Sequence, residues 1–213
     1  MLVVGLTGGV ASGKTVVSQV LKEEGAYLID ADQIARTLVQ PRTPVWDELR
    51  RTFGEDILGE NGSIHRKKLA ARIFSNPDER DLLNRILHPR IKQQMDRRVE
   101  EIREEDPDAI VVIDAALLVE SGNYREMDKV IVIATTETKQ IERLRGRQGL
   151  SEEEARRMVS SQISAEERLK VADYVIQNEG SLEETRKRAK EIFQELKRLA
   201  LQKKDQPRFH NPN

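Results

Sequence analysis

The sequence predicts an α/β protein: a three-layer αβα fold around a five-stranded parallel sheet, with a helical insertion and a small helical lid. Three observations point there. Short apolar runs of strand length alternate with helical patterns, which is how a parallel sheet covered on both faces reads. The first run passes directly into a glycine-rich loop and then a helix. The second and third runs stand about 80 residues apart, where a parallel crossover needs only a dozen or so, so a helical subdomain is inserted between them.

In chain order, Leu2 to Leu6 is the first strand, and Val16, Val17, Val20 and Leu21 share one face of the helix that ends at Gly25. Ala26 to Asp30 reads as the second strand, followed by the helical pattern Ile34, Ala35, Leu38. The insertion contributes helical stretches at Val45 to Phe53, Lys67 to Phe74, Pro77 to Leu87 and Pro89 to Glu104. Ile110 to Asp114, Val130 to Ala134 and Tyr174 to Gln177 complete the sheet, with helices at Glu137 to Arg147 and Glu152 to Ser161 between the last two. The closing helix carries Leu182, Thr185, Ala189, Ile192, Phe193, Leu196 and Leu199 on one stripe and should pack back on the sheet. This divides the chain into a sheet-forming core (1–40, 108–136 and 172–200), an insertion (41–107) and a lid (137–171). Residues 202–213, polar with two prolines, are expected to fray.

Composition narrows the function. Lys plus Arg (36) nearly balance Asp plus Glu (37), so no overall positive field recruits nucleic acid, and anionic ligands must be held locally. No apolar stretch reaches the ~20 residues of a membrane span. The absence of cysteine removes disulfides and thiolate metal sites, and with a strand starting at once it predicts a cytoplasmic protein. Oligomeric state is left as monomer or small homo-oligomer.

The most specific signal is Gly8 to Thr15, a complete G-x-x-x-x-G-K-[ST] phosphate loop set between the first strand and the first helix. A triphosphate needs many donors around closely spaced oxygens, and backbone N–H groups come that close only where side chains are absent; hence Gly8, Gly9 and Gly13. Residues Gly8, Gly9, Val10, Ala11, Ser12, Gly13, Lys14, Thr15 and Val16 are therefore the expected ATP site. Lys14 reaches the β- and γ-phosphates, Thr15 places a hydroxyl on Mg²⁺, and the helix points its positive end at the anion.

Other candidates keep two readings each. Asp30 and Asp32 end the second strand at the sheet edge where such folds bind ligands, and extended alternation would point both carboxylates one way. Asp32 is then either the base that takes a proton from an attacking hydroxyl or the N-cap of a helix beginning near Gln33. Asp114, closing Val-Val-Ile-Asp, is a Mg²⁺-holding acid or a polar strand terminus. Arg143 and Arg147 share a helix face and serve a closing lid or a solvated surface. His88-Pro89 starts a helix or meets an acceptor. The three histidines show no metal-site spacing.

Together these landmarks resemble the dephospho-CoA kinase family, P-loop NTPase enzymes that phosphorylate the ribose 3′-hydroxyl in the last step of coenzyme A synthesis. The resemblance is carried by Gly5 to Thr15, Ile29-Asp-Ala-Asp-Gln-Ile-Ala-Arg36, Leu87-His-Pro-Arg-Ile91, Leu117-Leu-Val-Glu120, Gln140 to Arg147, Ser151 to Ala155 with Gln162, and Ala172 to Asn178 with Gly180. It implies ATP and 3′-dephospho-CoA as substrates and Asp32 as the base. It also implies that Arg143 and Arg147 lie in the lid, Asn178 near the adenine, and His88 and Leu117 toward the acceptor. Two positions depart from the family pattern: Ala116 stands where a proline is usual, and Gln148 where an acid is common. The rival readings are another small-molecule kinase, against which the insertion and its His-Pro element weigh, and a GTPase-like switch. The latter lacks the Asn-Lys-x-Asp guanine reader.

Overall fold

The structure, a computed structural model, describes residues 1–205. Five strands, β1 (Leu2–Gly8), β2 (Tyr27–Asp30), β3 (Ile110–Asp114), β4 (Lys129–Ala134) and β5 (Tyr174–Gln177), form one sheet in the order β2-β3-β1-β4-β5. β1 pairs in parallel with β3, Leu2 opposite Ile110, and with β4, Val4 opposite Lys129; β4 pairs in parallel with β5. The central strand is thus flanked by strands that come later in the chain, a reversal of connection at which open sheets place ligands beyond the carboxyl ends.

The chain divides into two compact units, residues 1–29 with 99–213, and residues 30–98. In the first, alternate residues of β1 (Leu2, Val4, Leu6) face α1 (Lys14–Glu23) and α9 (Leu182–Asp205). Val17, Val20 and Leu21 of α1 and Ala189, Ile192, Phe193 and Leu196 of α9 fill that layer, each essentially buried. Each full burial of such an apolar side chain contributes about 1.5–3 kcal/mol, so this layer fixes where β1 ends and where the loop after it begins. α6 (Glu137–Gln148) buries Ile141 and Leu144 against Ala155 of α7 (Glu152–Ser160), and the short α8 (Ala165–Leu169) follows. Ser151 and Ser164 start α7 and α8 as reciprocal capping boxes with Glu154 and Glu167.

The second unit holds α2 (Ala31–Leu38), α3 (Pro44–Phe53), α4 (Arg66–Ser75) and most of α5 (Pro77–Glu105). Val45, Leu49 and Phe53 of α3, Ile57, Leu69 of α4 and Leu83 and Ile86 of α5 form its core. One expectation is corrected here. His88-Pro89 does not open a helix: Pro89 lies inside the single 29-residue α5. A proline in a helix forfeits one backbone bond and crowds the preceding turn. The helix continues because Leu83 and Ile86 before it and Met95 and Ile102 after it are buried. Arg90 donates to the Ile86 carbonyl at 2.6 Å beside the gap.

α9 also runs to Asp205, four residues into the stretch expected to fray; the rest of that stretch, 206–213, lies outside the described residues. No helix among the described residues is long and apolar enough to cross a membrane.

Candidate active site

The phosphate loop connects β1 to α1 at the carboxyl end of the sheet. Gly13 caps α1 in the left-handed region, φ +96°, and a Cβ there would lie 2.0 Å from Asn178 Nδ2, so no larger residue fits. Ala11 also takes a positive φ, +56°. From Lys14 onward the first turn of α1 presents backbone N–H groups with no helical carbonyl to bond, beside the positive end of the helix dipole. Val16 donates back to Gly13 O at 3.0 Å.

Lys14 and Asp114 form an ion pair through Nζ and Oδ1. Asp114 is buried at the end of β3, and Lys14 is largely covered. Thr15, by contrast, is exposed. Within this unit, then, the loop, Lys14 and the acid at the end of the neighbouring strand come together.

Arg143 and Asn178 do something the sequence did not predict: they bind the protein's own loop. The Arg143 guanidinium donates to Ala11 O at 3.1 Å, Ser12 O at 3.4 Å and Asn178 O at 2.8 Å. Asn178, 8% exposed, donates from Nδ2 to Ser12 O at 2.6 Å and accepts at Oδ1 from the Thr185 hydroxyl at 2.9 Å. The amide therefore ties Ser12 of the loop to Thr185 of α9. Arg147, at the end of α6, is exposed. Leu117 projects an apolar side chain that is 49% exposed.

Asp32 and His88 belong to the other unit. The chain turns helical at Ala31, so Asp30 and Asp32 are not alternate residues of one strand, and residues two apart on a helix do not share a face. The expectation that both carboxylates point one way is corrected on that ground. The capping alternative for Asp32 is removed as well, because Asp30 is the cap, its Oδ1 accepting from Gln33 N at 2.8 Å. Asp32 stands in the first turn of α2, with local capping left to its neighbour. His88 is half-buried in α5, and loss of solvent lowers its pKa from the usual 6.5.

The family model for dephospho-CoA kinase matches residues 2–184. The chain belongs to the dephospho-CoA kinase family. A protein of Corynebacterium glutamicum named dephospho-CoA kinase is 41% identical over 196 residues, covering 92% of this chain and 98% of that one. A dephospho-CoA kinase of Syntrophotalea carbinolica is 44% identical, covering 87% and 88%. Among solved structures, TT1252 from Thermus thermophilus superposes with a TM-score of 0.78 at 31% identity, covering 92% of this chain and 97% of that one. A dephospho-CoA kinase from Campylobacter jejuni gives 0.68 at 28%, with the same coverage. The chain is by family an ATP-dependent kinase.

Four further residues of this dephospho-CoA kinase family member reach the loop region. Gln140 and Gln162 bond Val10, and the buried Arg168 pairs with Glu120 at 3.2 Å. Gln140, Gln162 and Glu120 stand in the stretches that carry the family resemblance, but nothing in their spacing gave them a role. Arg168 left no signal, because one arginine among 36 basic side chains does not announce its burial.

Proposed function

We propose that the chain transfers the γ-phosphoryl group of ATP to the ribose 3′-hydroxyl of 3′-dephospho-CoA, giving CoA and ADP. The observation that carries this reading is a phosphate loop joined to the Lys14–Asp114 pair, in a chain that matches the dephospho-CoA kinase family nearly end to end.

In this reading the loop N–H groups, apart from that of Val10, which Gln162 holds, and the first turn of α1 cradle the triphosphate, and Lys14 brings its charge to the β- and γ-oxygens. The donor set suits Mg²⁺. Thr15 offers an exposed hydroxyl and Asp114 a carboxylate, and no cluster of three or more acidic, histidine or cysteine side chains exists among the described residues to form an all-protein cage. Magnesium usually keeps its waters and takes one or two carboxylates with substrate phosphates. Thr15 and Asp114 would hold it, and it would supply neutralisation of charge on the phosphate oxygens.

Asp32 orients the 3′-hydroxyl and takes its proton as the new P–O bond forms and the bond to ADP breaks. Arg143 acts by holding the loop carbonyls and the Asn178 backbone on the adenine side, and Arg147 is the arginine that reaches the transferred group when the lid closes. His88 and Leu117 serve the acceptor, one as an imidazole that is neutral at physiological pH and one as an exposed apolar contact. The enzyme is cytoplasmic, acts on small molecules without nucleic acid or membrane, and is a monomer or small homo-oligomer.

The test is ADP release by the purified chain with ATP and Mg²⁺, measured with and without 3′-dephospho-CoA. Strong stimulation with phosphate appearing on the 3′ position is expected. Absence of stimulation, or equal stimulation by simple nucleosides, would overturn the acceptor assignment.

A further inference from the structure

The back of the phosphate loop is held by side chains for which the transfer chemistry has no direct use. Val10 stands near the apex of the loop, and both of its backbone groups are taken by glutamines far along the chain. Its N–H donates to Gln162 Oε1 at 2.7 Å, and its carbonyl accepts from Gln140 Nε2 at 2.7 Å. Gln140 is buried on α6; Gln162 lies in the bend between α7 and α8. The Val10 and Ala11 side chains pack on the Ile141, Leu144, Ala155 cluster of the same segment.

Arg168 closes the arrangement. It is 5% exposed and pairs with Glu120 from the loop after β3, which anchors α8 six residues beyond Gln162. A Cβ on Gly9 would lie 2.4 Å from Gln140 Nε2 and 3.3 Å from Arg168 Nη1, so Gly9 is the residue that lets both side chains come up against the loop. Gln140, Gln162 and Arg168 line a cavity of about 350 Å³ behind it, together with Gly9 and Ser12. Over this cavity the loop backbone is supported by discrete hydrogen bonds, and its shape follows the groups that make them.

We propose that Gln162, anchored through the Arg168–Glu120 pair, is a positioning residue of the phosphate loop: the bend after α7 sets the loop's conformation, and with it ATP affinity, without touching the nucleotide. A phosphate cradle works through the directions of its N–H groups. Tying Val10 N–H to Gln162 fixes the peptide between Gly9 and Val10, and with it the course of the chain toward Gly13. The proposal rests on the kinase reading above for its assay, while its central quantity, ATP affinity, can be measured without any acceptor.

The test compares Gln162→Leu, which keeps the side-chain bulk and loses the acceptor, with Gln162→Glu, which keeps an acceptor oxygen. KM for ATP should rise about tenfold in the Leu variant, the order expected for one hydrogen bond. kcat, KM for 3′-dephospho-CoA and the thermal midpoint should stay close to wild type, the pattern of lost uniform binding. The Glu variant should recover part of the ATP affinity. A KM for ATP within twofold of wild type in the Leu variant would overturn the proposal, as would a loss falling mainly on kcat, or a Glu variant no better than Leu. If the wild-type chain fails to use 3′-dephospho-CoA, the kinase reading falls separately, and equilibrium titration with ATP still decides the role of Gln162 by the same tenfold criterion.

Discussion

In the sheet unit the polar side chains around the phosphate loop are fastened to backbone. Arg143 holds three carbonyls, Asn178 holds Ser12 O, and Gln140 and Gln162 hold Val10 from either side. In the helical unit charged side chains pair with one another nearer to solvent, as in Arg50–Glu55, Arg72–Glu79 and Arg90–Glu48, and only Arg72 and Arg90 of these also reach a backbone carbonyl, of Phe53 and Ile86. Fixed supports suit a loop whose N–H groups must keep their directions toward an anion. Pairs in water cost little to rearrange, which suits the role proposed for these helices of accommodating a bulky acceptor. The difference predicts that lesions in the first unit are read in ATP binding or in folding, and lesions in the second in turnover.

The largest expected effect tests that division directly. Asp32→Asn removes the proposed base, so kcat should fall about a thousandfold, within the range general-base catalysis supplies. ATP affinity, measured by equilibrium titration, should remain within about twofold. A variant that turned over at the wild-type rate would remove Asp32 from the mechanism, and one that lost ATP binding equally would erase the contrast between the units.

A smaller effect compares two ion pairs. Glu120 is 20% exposed at the side chain and is the partner of a buried arginine, so Glu120→Leu should cost about 3 kcal/mol, because removing one member leaves an uncompensated buried charge. Glu48→Ala breaks the Arg90 pair, whose members are 37% and 40% exposed, and should cost no more than about 1 kcal/mol. Urea denaturation of both variants measures this. Equal losses would mean that the Arg168–Glu120 pair is no more structural than a surface contact.

The same contrast explains what could be read from the chain. The five strands and the phosphate loop were legible because each rests on local chemistry: uninterrupted apolar runs, glycines where the backbone must come close, and a lysine at a fixed offset. Asp114 could be placed because it closes such a run. Pro89 misled because the preference of a proline for a helix start is a local rule, and buried Leu83, Ile86, Met95 and Ile102 outweigh it. Asp30, rather than Asp32, is the cap because the helix begins at Ala31 and not near Gln33. The supports of the loop were not legible at all. Gln162 meets Val10 across 152 residues of chain, and no periodicity carries information over that distance.

The smallest effect concerns His88. Burial disfavours its imidazolium, so its pKa is lowered in the folded chain relative to the usual 6.5. The unfolded chain then binds more protons than the folded chain in the window below pH 6.5, and stability rises with pH there. The contribution is fully present above pH 6.5 and is lost as the pH falls through the lowered value. Denaturant midpoints at pH 7.5 and pH 5.5 should therefore drop more for wild type than for His88→Gln. The acceptor makes the test sharper, because a phosphate group near the imidazole would favour its charged form and raise its pKa. Saturating 3′-dephospho-CoA should thus shrink the difference between wild type and His88→Gln. A difference that the acceptor leaves unchanged would place His88 away from the acceptor's phosphates and return it to the ordinary packing of α5.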